Sequence, residues 1–183
     1  MNPSYLVFLL IISHLYGGKS TQLATIATEI QEYLITVQDI QGEYNSIQKV
    51  VFSPLQSVDD MDYKKFVLAL NSLADTLGKN KETLFEKLKS MENLPESEIG
   101  FIDTLNIYVK YLGKAIIQLS YICARLYNLP DNISYTVDEF SRDIDKWEKL
   151  GNKHRICGYN INARLDELSV RVPGLNQFWK FGS

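Results

Sequence analysis

The stretch that decides the fold is Ile102-Asp-Thr-Leu105-Asn-Ile-Tyr-Val109-Lys-Tyr-Leu112-Gly-Lys-Ala-Ile116-Ile-Gln-Leu119-Ser-Tyr-Ile-Cys123-Ala-Arg-Leu126. Its numbered residues recur in alternating steps of three and four, which stacks them along one face of an α-helix. A flanking row (Phe101, Tyr108, Ala115, Ile122, Leu129) widens that apolar face, so the spacing predicts the most buried helix of the molecule here. Pro130-Asp131-Asn132 closes it.

The same rhythm extends on both sides. Leu23, Ile26, Ile30, Tyr33, Val37, Ile40, Tyr44, Ile47 and Val51 form an earlier stripe that ends at Ser53-Pro54. A second runs Tyr63, Phe66, Leu70, Leu73, Leu77, Leu84, Leu88, Met91, with a start expected near Asp59 or Asp60 and a stop at Asn93-Leu-Pro95. The last opens with Thr136-Val-Asp-Glu139, a capping box, and continues Val137, Phe140, Ile144, Trp147. It weakens around Gly151 and resumes as Ile161, Leu165, Leu168, Val172 before Pro173-Gly174. The predicted segments, 21–52, 59–92, 96–128 and 136–172, are similar in length and joined by short connections. The expectation is an all-α, up-down-up-down four-helix bundle, with a break near Gly151 adding a fifth helix.

Residues 5–12, Tyr-Leu-Val-Phe-Leu-Leu-Ile-Ile, are a short apolar core followed by Gly17, Gly18 and Ser20. That is a secretory signal layout with cleavage expected after Ser20, since the core is shorter than the ~20 apolar residues of a membrane span. Residues 1–20 are therefore assigned as a signal peptide and 21–183 as one helical domain, secreted and without stable membrane insertion. Asn132-Ile-Ser134 is a glycosylation sequon in a loop.

With 183 residues, 19 Lys plus Arg against 22 Asp plus Glu, and 22% charged residues, the chain has the composition of one globular domain. The net charge of -3 argues against a general nucleic-acid binder. The charge is uneven. Residues 21–62 carry seven acids against Lys49, while residues 142–183 carry eight bases and five acids, so neighbouring first and last helices should attract.

Cys123 and Cys157 are the only cysteines, and export favours pairing them. In a straight hairpin they would lie about 8 and about 31 Å from the turn, whereas a disulfide needs Cα atoms within about 7 Å. A helix capped and reversed at Gly151-Asn152 resolves the conflict and is the preferred reading; free or intermolecular thiols in a straight bundle are the alternative.

No catalytic or metal-binding constellation is legible, and no cofactor is implied. One His, His154, remains after signal removal, which excludes a Glu-x-x-His di-metal site. His154 and Cys157 share a helical face at i, i+3, a spacing that suits a half-exposed His beside a structural Cys better than a nucleophile. Nucleophile-elbow, phosphate-loop and dinucleotide motifs are missing. A non-enzymatic module that binds an extracellular protein is therefore expected, resembling cytokines or secreted effectors only in kind. The polar, charge-poor face of the first helix (Thr21, Gln22, Thr25, Thr28, Gln31, Thr36, Gln38, Gln41, Asn45, Gln48) would be cheap to desolvate in an interface. The alternative is a carrier of a lipid or another apolar small molecule, suggested by aromatic inner stripes but opposed by exposed faces poor in Lys and Arg. Gly42, Gly78, Gly113 and Gly151 fall one per helix at a similar level, and a waist with close backbones or a pocket is the functional expectation for them.

Overall fold

The computed structural model describes residues 19–53, 61–90, 94, 96–128 and 135–169. The apolar core of the proposed signal peptide, the sequon at Asn132 and the tail Phe178-Trp179-Lys180-Phe181 lie outside the described residues. Four helices follow in order: α1 (Lys19–Val51), α2 (Tyr63–Lys89), α3 (Glu96–Tyr127) and α4 (Val137–Ser169). Among the described residues there is no strand, and the all-α bundle holds.

Two of the starts have a visible local cause. Asp62 accepts the Lys65 amide at 3.0 Å, so α2 begins three residues after the acidic pair expected to open it. Thr136 and Glu139 form the reciprocal box that their spacing predicts: the Thr136 amide donates to Oε2 of Glu139 at 3.0 Å and the Glu139 amide to Oγ1 of Thr136 at 3.2 Å. Val137, placed on the inner stripe by periodicity, is 83% exposed at the first position of the helix, just inside this cap.

Helix α3 is the hub, packed against α2 on one side and α4 on the other, while α1 packs mainly on α2. Leu105, Leu112, Ile116, Leu119, Ile122 and Cys123 have no exposed surface, nor do Phe101 and Tyr108 of the flanking row. The predicted stripes of α1 and α2 are buried as well, from Ile30 to Val51 and from Tyr63 to Leu88, with Leu34 added and with Ile47 and Phe66 only partly covered. Contacts fix the register of the α3–α4 hairpin: Tyr108 stacks on His154, Gln118 reaches the Asp143 carbonyl, and Arg125 pairs with Glu139. The α2–α3 hairpin is registered by Ser120 on Asn71 and by Gly113 against Leu77.

Three expectations fail here. Helix α4 runs through Gly151 without interruption from Val137 to Ser169, so there is no fold-back and no fifth helix among the described residues. Cys123 and Cys157 are accordingly free thiols rather than a disulfide, as the straight-hairpin distances require. The physical reason is packing on both sides of the glycine. Trp147, Leu150 and Cys157 lie against the core and Ile161 is fully buried, which outweighs the ~1 kcal/mol that an interior Gly costs. The close backbone approach expected at the interior glycines is absent as well. A Cβ added at Gly42, Gly78 or Gly151 would meet nothing within 4 Å, and at Gly113 only Leu77 Cδ2 at 3.6 Å, an ordinary contact.

Candidate functional site

Among the described residues, three side-chain clusters and the outer surface of α3 and α4 stand out. The first joins the ends of the chain's order. The Trp147 indole N–H donates to the Tyr44 hydroxyl at 2.7 Å, and Phe52 lies against the same indole with ring centroids 4.9 Å apart. Helices α1 and α4 therefore meet through aromatic side chains, and no ion pair links them among the described residues. Burial pushes the Tyr44 hydroxyl up to about 12, which keeps it neutral and available as an acceptor.

The second cluster locks the α3–α4 turn. The Arg125 guanidinium lies 3.9 Å from the centre of the Tyr135 ring, pairs with Glu139 at 3.2 Å and with Asp143 at 3.5 Å, and Asp143 also accepts from the Tyr135 hydroxyl at 3.3 Å. The hydrogen bond from the Thr136 amide, with Arg125 adding to it, holds the Glu139 carboxyl below its usual range. Every charge here has a partner, which is the mark of a structural clamp.

The third cluster is the one the sequence flagged for chemistry. The Tyr108 hydroxyl donates to Gln41 Oε1 at 3.0 Å, crossing from α3 to α1, while its ring stacks on His154 at 4.1 Å. His154 Nδ1 lies 3.2 Å from the Tyr108 carbonyl, so the neutral ring donates from Nδ1 and leaves Nε2 buried without a partner. Burial drives His154 down to about 4 and raises the Cys157 thiol. An activated cysteine needs the reverse, a thiolate beside a cationic imidazole. Near neutral pH this pair is a neutral ring beside a protonated thiol. Cys123, sealed in the core, is pushed up to about 12 by the same desolvation.

The α1 face rich in amides is less free than its sequence suggests. Gln41 is half-buried beneath Tyr108, and the Thr36 hydroxyl bonds back to the Glu32 carbonyl at 3.2 Å. No cluster of three His, Cys, Asp or Glu side chains that could hold a metal occurs among the described residues.

The surface that sequence reading missed lies along α3 and α4. Ile107, Ile117 and Tyr121 are 48%, 58% and 46% exposed on the outer side of the most buried helix. On α4, Arg142, Lys146, Lys149 and Lys153, with Asp145 and Leu150, line an open surface depression of about 370 Å³. A smaller groove of about 170 Å³ on α2 is lined by Lys81, Glu82, Phe85, Glu86 and Lys89. Both are charged surface depressions and offer nothing to the carrier reading, which calls for an apolar chamber. The signal for the larger groove was in the sequence: bases at 142, 146, 149 and 153 are spaced once per turn, but a net charge of -3 hides them.

No protein family, curated protein or solved structure matches this chain.

Proposed function

We propose that this is a secreted, non-enzymatic helical module that acts outside the cell by binding another protein. The observation that carries this reading is the exposure of Ile107, Ile117 and Tyr121 on one outer face of α3, opposite a fully buried one. Scattered apolar residues on a surface need no explanation, but a branched and aromatic set on one face of the central helix is the material of an interface core. Support also comes from the chemistry of the remaining clusters, which are paired, neutral or sealed. No helix of the described residues is long and apolar enough to cross a membrane, in keeping with action as an exported domain.

Proximity labelling by the protein in the setting where it is secreted tests the reading. A protein partner whose labelling is lost with Ile117→Asp supports it. Absence of a protein partner, together with a lipid co-purifying in native mass spectrometry, overturns it in favour of the carrier.

A further inference from the structure

Arg142, Lys146, Lys149 and Lys153 fall at intervals of four, three and four residues, so one cation appears per turn along about 16 Å of α4. The hairpin register brings two more beside them. Lys153 Nζ lies 5.6 Å above the Tyr111 ring and Gln118 bonds to the Asp143 carbonyl, which sets Lys110 level with Lys153 and Lys114 level with Lys146 and Lys149. Lys110 and Lys114 are exposed on the side of α3 that also carries Ile107, Ile117 and Tyr121.

Among the described residues this positive charge is little neutralised. None of Lys110, Lys114, Lys146 and Lys149 makes an ion pair among the described residues. The acidic first helix, their expected counterpart, is engaged elsewhere or faces solvent: Glu29 pairs with Lys87 of α2 at 2.6 Å, and Glu32, Asp39 and Glu43 are exposed. Six like charges on one seam, tempered by Asp145 alone in the groove, repel one another until something anionic covers them.

We propose that the α3–α4 seam docks an acidic amphipathic helix of a partner protein, an assignment that rests on the reading of this chain as a protein-binding module. The complementarity is geometric as well as electrostatic. Carboxylates at i, i+3 and i+4 on a helix recur once per turn, as the cations of α4 do. A helix laid along the groove sets those carboxylates against Lys146, Lys149 and Lys153, and its apolar side reaches Ile117 and Tyr121. The once-per-turn spacing of these cations matches a helix laid parallel to α4, and Leu150 among them offers an apolar contact to its inner side.

The test uses the full secreted protein and a labelled synthetic helical peptide with Glu once per turn beside a Leu stripe, read by fluorescence anisotropy. Binding should weaken about tenfold between about 50 and 200 mM NaCl. The triple variant K146E/K149E/K153E should lose at least about tenfold in affinity, and Ile117→Asp several-fold, while K64E/K65E/K79E on α2 binds as the parent does. Circular dichroism and melting curves confirm that each variant is folded. No peptide binding at low salt, or equal loss in the α2 control, overturns the proposal. Tighter binding to phosphatidylcholine vesicles containing about 30% phosphatidylserine than to the peptide also overturns it and reassigns the seam to a membrane. A natural partner whose capture is lost with Ile117→Asp but kept in the triple variant sinks the acidic helix alone and leaves the module reading standing.

Discussion

Trp147 and Tyr44, 103 residues apart in the chain, share a hydrogen bond of 2.7 Å that joins the last helix to the first. With no ion pair between these helices among the described residues, this contact and the stacking of Phe52 hold that edge of the bundle. Trp147→Phe keeps most of the ring area but leaves the hydroxyl of buried Tyr44 without its donor. We expect a loss of about 1–2 kcal/mol in urea denaturation. In a cycle with Tyr44→Phe, the double variant should be less destabilised than the sum of the single ones.

Leu112 and Ile116 are fully buried at the centre of α3. Replacing either with Ala should cost about 2–5 kcal/mol, through lost burial and the cavity left behind. Ile117, adjacent but exposed, should cost less than about 0.5 kcal/mol on the same change. Equal losses at positions 116 and 117 would contradict the burial pattern.

The thiols make a third prediction. Cys157 is partly accessible and Cys123 is sealed, and they are not joined. A maleimide added to the native protein should label Cys157 within the time that leaves Cys123 untouched, and unfolding should release the second site. A linked Cys123–Cys157 peptide under non-reducing conditions would overturn the straight fourth helix.

The heptad seams were legible because burial at every third and fourth residue is a property of one helix and its facing neighbour. The capping box at Thr136 and Glu139 was legible for the same local reason. What failed was tertiary. Gly151 reads as a stop by propensity, yet side chains on both sides of it are anchored against the core, and the helix continues. Val137 fits the period but stands before the point where α4 meets α3. Trp147 was placed on the inner stripe, but its partner Tyr44 lies on a distant helix that no periodicity selects. The basic seam was missed because it is assembled from two helices, and the antiparallel register that aligns Lys114 with Lys146 and Lys149 becomes visible only in the folded hairpin.

The interior glycines are expected to be improvable. Gly42, Gly78 and Gly151 are helical with open space where a Cβ would stand. Alanine at each should raise stability by about 0.5–1 kcal/mol by reducing the freedom of the unfolded chain, with no clash to offset it. Thermal denaturation of the single variants checks this. A loss at Gly151→Ala would mean that the helix needs a bend there.

The last prediction concerns acid. His154 in the fold titrates near 4, against 6.5 for an unburdened imidazole, because it is buried against Tyr108 with Nδ1 committed to that residue's carbonyl and Nε2 without a partner. Between those two values the unfolded chain binds a proton that the folded chain refuses. The contribution of the neutral ring is therefore complete above about pH 6.5 and is lost as the pH falls toward 4. Below that both states are protonated, and this residue adds no further slope. The full span corresponds to about 3 kcal/mol, each unit being worth about 1.4. His154→Asn retains a donor for the Tyr108 carbonyl but cannot be protonated, so it should flatten the stability profile across that window. Urea midpoints of parent and variant measured from pH 7 to pH 4 decide the matter. Parallel curves would show that carboxylates elsewhere, not this imidazole, govern the acid transition.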